Sequence, residues 1–136
     1  MAETNPHVHG VVPYLMVRGA SEAAEFYKRA FGAEELARNA GEDGKRLIHC
    51  HLRINGADVM MSDEFPEHGF ALAEGGPSGV TLHLAVDDAD VWFTRAVEAG
   101  ATVVMPIADQ FWGDRYGQLS DPFGHSWSIG SPKKKQ

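Results

Sequence analysis

The chain has 136 residues, with 12 Lys and Arg against 19 Asp and Glu and a formal net charge of −7. That length accommodates one domain with a real core, and the negative balance argues against nucleic acid as a partner. The single cysteine, Cys50, excludes an intrachain disulfide and fits a reducing cytoplasm, while no apolar run reaches the roughly 18 residues of a membrane span. The opening MAETNPHVHG has no positive patch followed by an apolar run, so no secretory signal is expected and the expected location is cytoplasmic.

In chain order, VVPYLMV (11–17) reads as a strand and GASEAAEFYKRAFG (19–32) as a helix. Ser21 is the expected cap, Glu22 and Glu25 suit the positive start, and Lys28 and Arg29 suit the end before Gly32. Ala23, Phe26, Tyr27, Ala30 and Phe31 make one stripe at helical spacing. Three strands are expected next, at 33–39, 46–54 and 57–63, with Asn55-Gly56 as a two-residue hairpin turn.

The same order then repeats about 70 residues on. VTLHLAV (80–86) is a strand and DDADVWFTRAVEAG (87–100) a helix, with the stripe Ala89, Trp92, Phe93, Ala96 and Val97. Strands at 101–109, 115–120 and 125–130 follow, and Asp121-Pro122-Phe123-Gly124 supplies a turn. The expected organisation is a single domain over 1–136. Module one spans about 10–63, a linker or lid 64–79, module two about 80–130, and a solvated tail 131–136 ends in the lysines of SPKKKQ.

The segments PYLMV, EFYKRAFGAEE, LHLAVDDAD, AVEAGATVVMP and above all QFWGDRYGQLSDPFGHSWSI resemble the vicinal oxygen chelate superfamily, which includes glyoxalase, bleomycin-resistance and extradiol dioxygenase proteins. WGDRYG followed by DPFGHSW is similar to its PhnB-like branch. The resemblance covers about Gly10 to Ile129 and implies an α+β fold of two βαβββ modules forming a U-shaped, half-barrel mixed sheet, with homodimerisation frequent. In metalloenzymes of the superfamily a divalent ion is held by His, Gln or Glu from the concave strands. Here those slots carry Val12, Thr81 and Ser128, with Met60 at the corresponding place in the first module, and none is a good ligand.

Strand alternation assigns the faces. Ile48, Cys50 and Leu52 are expected to face the helix and His49, His51 and Arg53 the cavity. Val80, Leu82, Leu84 and Val86 are expected to pack inward, leaving Thr81 and His83 on the open face. Val12, Tyr14, Met16, Asp58, Met60, Ser126, Ser128 and Gln118 join that face. The candidate catalytic residues are therefore His51, His83 and Tyr14, because imidazole titrates near neutral pH. His49, His51 and His83, or Asp58 as third ligand, form the alternative divalent-metal set; otherwise no cofactor is expected. The WGDRYG segment is expected to present Trp112, Asp114, Arg115 and Tyr116 at the pocket rim, where Arg115 either grips a ligand carboxylate or phosphate or pairs internally with an acid. His125 is read as structural, and His7, His9 and His68 as surface residues.

Two functions compete on this reading. One is an enzyme, a lyase, isomerase or dioxygenase acting on a small polar molecule. The other is a protein that sequesters a drug or metabolite without changing it. Methyl transfer, which the branch's inherited label suggests, lacks any Gly-rich loop between a strand and a helix that would cradle a nucleotide.

Overall fold

The computed structural model describes residues 8–133. Among them, two α-helices and eight strands make two four-stranded mixed sheets, and neither sheet closes into a barrel. The chain divides into two compact units. One runs through Lys28 and from Gly32 to Glu74; the other contains Arg29–Phe31 and continues from Gly75.

In the first unit, β1 (Tyr14–Val17) is followed by α1 (Ala20–Phe31), β2 (Glu34–Ala40), β3 (Leu47–Ile54) and β4 (Ala57–Asp63). The sheet order is β1-β4-β3-β2, with β1 parallel to β4 and the other pairs antiparallel. β1 is shorter than the apolar run that announces it. Pro13 has no N–H to offer a ladder, and residues 11–13 lie outside the strand with Val11 fully exposed. The α1 stripe is as expected: Ala23, Phe26, Tyr27, Ala30 and Phe31 are all buried. Burying each large apolar side chain contributes about 1.5–3 kcal/mol, which outweighs helix propensity as the reason this segment is a helix.

The start of α1 differs from expectation. Gly19, not Ser21, is the N-cap, and Ser21 lies inside the first turn, where its Oγ accepts from Arg38. The free N–H groups are satisfied instead by Asp63 at the end of β4, whose Oδ1 accepts from Gly19 (2.7 Å) and Ala20 (3.0 Å). Its Oδ2 accepts from Leu47 (2.8 Å). This carboxylate is only 4% exposed and ties the start of α1 to β3 and β4.

β3 also departs from strict alternation. Asn39 pairs with His49 and Ala40 with Leu47, so two residues of β3 oppose one of β2. The bulge turns Leu47 into the core and Ile48 out of it, 55% exposed, against the expected inward placement. Beyond it, Cys50, Leu52 and Ile54 resume the buried face. The β3–β4 hairpin turns on Asn55 (φ 50°) and Gly56 (φ 79°), the two left-handed residues that a type I′ turn requires. Burial pushes the Cys50 thiol up to about 11. Cys50 should therefore resist an aromatic disulfide reagent at pH 8 in the folded protein and react within minutes in denaturant; rapid reaction of the folded chain would contradict its placement.

The second unit repeats the order with β5 (Thr81–Ala85), α2 (Ala89–Ala99), β6 (Thr102–Asp109), β7 (Asp114–Ser120) and β8 (Ser126–Pro132), arranged β5-β8-β7-β6. Asp88 caps α2 by accepting from the Val91 amide, and Ser131 Oγ accepts from the Ala89 amide (3.1 Å). Ser131 is buried and β8 extends through Pro132, so residues 131 and 132 belong to the sheet rather than to a solvated tail. Lys134 and Lys135 lie outside the described residues. Val80 precedes β5 and is exposed, and Val97 is exposed too, so neither joins the core as its spacing suggested.

Gly117 sits in the middle of β7. A Cβ there would meet the Phe93 ring at 2.7 Å and Ile107 backbone at 3.0 Å, so its lack of a side chain is what lets α2 press onto the sheet. The DPFGH turn is organised by buried Asp121. Its Oδ1 accepts from the Phe123 and His125 amides and its Oδ2 from the Trp127 indole (2.8 Å), while the Trp127 ring lies 4.6 Å from that of Phe31.

Candidate functional site

Alternation past the bulge places His49, His51 and Arg53 on the sheet face opposite Cys50 and Leu52, and the register brings neighbours to them. Met60 lies across from both Tyr14 and His51, and Asp58 across from Arg53. On this face of the first unit, His51 Nε2 donates to Asp58 Oδ1 at 2.7 Å, and Arg53 reaches the same oxygen at 3.3 Å. The His51 bond, with Arg53 as a smaller contributor, holds the Asp58 carboxyl below the usual range. His51 is 4% exposed, so its orientation is fixed by packing as well as by Asp58.

Tyr14 forms a second pair beside it. Its hydroxyl lies 3.0 Å from His49 Nδ1 and 3.3 Å from the Ile48 carbonyl, with the two rings 5.8 Å apart. Burial raises the Tyr14 phenol, with Cys50 a smaller cause, and burial followed by the nearby His51 lowers His49. Both are therefore neutral near pH 7. The imidazoles of His49 and His51 stand 6.5 Å apart on one strand, one against a phenol and the other against a carboxylate. Such a face can move a proton to or from a bound molecule.

The second unit carries its own polar face. His83 Nδ1 lies 2.8 Å from Ser128 Oγ, and its ring stacks on Tyr116 at 5.8 Å. Gln118 donates to the Tyr116 hydroxyl (3.0 Å), Thr81 and Ser126 are joined at 3.1 Å, and the Trp112 ring meets Tyr116 edge-on. Ser128, Gln118, Tyr116 and His83 are thus joined by contacts on the second unit.

Arg115 is not among them. Adjacent residues of a strand face opposite ways, and Arg115 turns toward α2, where Asp90 takes both fork positions (2.7 and 3.0 Å) and Asp109 a third at 3.3 Å. Its guanidinium is engaged internally by acids, and the neighbouring Asp114 accepts from the Trp112 indole. The acids of DDAD, Asp90 among them, stand at the start of α2. Nothing local links them to an arginine 25 positions on.

The positions where the superfamily's metalloenzymes hold their ion do not fit one here. Val12 is apolar and lies before β1, and the hydroxyls of Thr81 and Ser128 are committed to Ser126 and His83. Among the described residues no group of three or more His, Cys, Asp or Glu side chains could hold a metal ion.

The family model for the Glyoxalase/Bleomycin resistance protein/Dioxygenase superfamily matches residues 6–129. The chain belongs to this superfamily. An uncharacterized Mycobacterium bovis protein, Mb0911c, is 50% identical over 127 residues, covering 90% of this chain and 83% of the relative. The solved Arabidopsis thaliana At5g48480 protein is 30% identical, with TM-score 0.72 over 90% of this chain and 98% of that one. The PhnB protein from Bacillus cereus is 22% identical, with TM-score 0.72 over 90% and 99% of the two chains, a likeness of fold alone. Superfamily membership accounts for the repeated βαβββ order and leaves the reaction to the side chains on the sheet faces. No helix among the described residues is long and apolar enough to cross a membrane.

Proposed function

We propose that this glyoxalase-superfamily protein binds and transforms a small polar molecule on the sheet face that carries Tyr14, His49, His51 and Asp58. The observation that carries the reading is the 2.7 Å bond between buried His51 and Asp58. With Nε2–H given to an ionised carboxylate, His51 keeps the lone pair of Nδ1 for a substrate proton, and Asp58 is its positioning residue. Tyr14 supplies a neutral hydroxyl beside it, and Met60 an apolar wall. The reaction class that suits these groups is a proton-transfer lyase or isomerase. Because the slots at Val12, Thr81 and Ser128 lack ligands, no step is routed through a metal. As a separate proposal, the polar set on the second unit's own sheet face, Trp112, Tyr116, Gln118, Ser128 and His83, also contacts a small polar ligand.

Sequestration without chemistry is the second reading, favoured by the self-satisfied hydrogen bonds of Thr81, Ser126, Ser128 and His83. A metabolite extract incubated with the wild type and with His51→Gln, followed by mass spectrometry, separates the two. Consumption of a metabolite by the wild type alone supports catalysis, whereas retention of unchanged metabolite by both proteins supports sequestration and removes His51 from a chemical role.

A homodimer in the cytoplasm completes the proposal. β2 and β6 are sheet edges, and β6 exposes Val103, Val104 and Met105, side chains that a second copy would cover.

A further inference from the structure

A cleft of about 270 Å³ lies in the first unit and shares no residue with the histidine-bearing face. It is a consequence of two local devices. The β3 bulge turns Ile48 outward to form one wall. The segment after β4 folds back on itself to form the other: Phe65 and Phe70 exchange backbone hydrogen bonds (2.6 and 3.1 Å) around the short 3-10 turn Pro66–His68. Phe70 is left 61% exposed at the mouth. Gly41 lets the Phe65 ring come close, since a Cβ there would stand 3.3 Å from it.

The rim is acidic. Glu42, Asp43 and Glu67 line the cleft together with His68 and one permanent cation, Arg46. That cation is spent: its Nε donates to Asp43 (2.7 Å), its Nη2 to Glu67 (2.6 Å), and its guanidinium lies over the Phe65 ring at 4.3 Å. Arg46 holds the Glu67 carboxyl at about 2, and the Lys45 amide, with Arg46 next, holds Asp43 at about 2, so both stay ionised at any physiological pH. Three carboxylates against one guanidinium leave the rim negative, and among the described residues Glu42 makes no ion pair, so it is the carboxylate available to a ligand.

We propose that this cleft binds a small organic cation, an ammonium group carried on a single apolar ring or branched alkyl body. The apolar body fits against Ile48, and the positive charge meets Glu42 and the exposed Phe70 ring, whose face attracts a cation through the ring quadrupole. An anion would be repelled by the same rim, and the engaged Arg46 offers it no free fork. The volume is at the low end for ligand pockets, which limits the occupant to fragment size.

The test uses the full chain, isotope-labelled, with three probes of similar shape: benzyltrimethylammonium, benzyl alcohol and phenylacetate. The ammonium is expected to shift the backbone amides of Gly41, Phe65 and Phe70 saturably, with phenylacetate inert at tenfold higher concentration. Glu42→Gln, an exposed substitution that leaves the Arg46 pairs intact, is expected to weaken the ammonium about fivefold, and Phe70→Ala to weaken it further while both spectra stay native-like. Equal shifts with all three probes would overturn the charge assignment. Shifts confined to His49 and His51, or none up to saturating probe, would overturn the location. Binding of a lysine-rich peptide but not of the ammonium would overturn the small-molecule occupant.

Discussion

Asp63→Ala is expected to lower the stability of the chain by about 4 kcal/mol, because three backbone N–H groups lose a carboxylate acceptor where water has little access. Gly19, Ala20 and Leu47 donate to it at 2.7–3.0 Å, and the side chain is 4% exposed. Small domains are held by only about 5–15 kcal/mol, so this single change removes a large share of the margin. Asp63→Asn is the informative companion. Its amide oxygen can keep the Gly19 and Ala20 bonds, but its NH₂ then confronts the Leu47 N–H, and about half the loss should remain. Ser131, at the end of β8, accepts only one bond, from Ala89 at 3.1 Å, so Ser131→Ala should cost about 1 kcal/mol. Urea denaturation of the three variants at constant m-value gives the ordering Asp63→Ala, Asp63→Asn, Ser131→Ala. Equal midpoints for all three would remove Asp63 as the clamp of the first unit.

The second large effect concerns chemistry. If His51 moves the substrate proton, His51→Gln should reduce turnover by roughly 10²–10⁴ with folding and ligand retention unchanged, since glutamine preserves hydrogen bonding but cannot exchange a proton near neutral pH. Asp58→Asn should lower kcat by roughly tenfold or more with a smaller effect on KM, because the carboxylate acts through His51. The pH profile adds an independent readout. The folded-state carboxyl of Asp58 is lowered by the His51 bond first, so the stabilisation from that pair is complete above the ordinary carboxylate value of about 4 and fades as pH falls through the lowered one. The stability of the wild type, read as its urea midpoint, should therefore fall along this acid limb, and Asp58→Asn should lose that part of the fall. A His51→Gln protein that turns over at the wild-type rate would end the assignment.

Periodicity in the chain was enough to place the elements. The α1 stripe from Ala23 to Phe31, the two helices about 70 residues apart and the Asn55-Gly56 hairpin all follow from local rules in which neighbours within a few residues decide the outcome. Alternation likewise put His49, His51, Asp58, Met60 and Tyr14 on one face, because a strand's side chains reverse at every residue.

What stayed hidden depended on partners far along the chain. Ser21 looked like a cap because caps are read from adjacent residues, yet the group that serves α1 comes from Asp63, more than 40 positions away. Ile48 was assigned inward because alternation assumes an unbroken register, and only pairing with β2 reveals the bulge that turns it out. Arg115 and Tyr116 seemed to share a rim, but once β7 is paired with β8 they lie on opposite faces and Asp90 claims the arginine. The sequence by itself determined the repeated βαβββ order and the residue types on each strand, since these follow from spacing and side-chain period. Only the tertiary structure decided which buried carboxylate meets which donor and which apolar side chain is left facing water, because those outcomes depend on register and on distances between segments that no local pattern encodes.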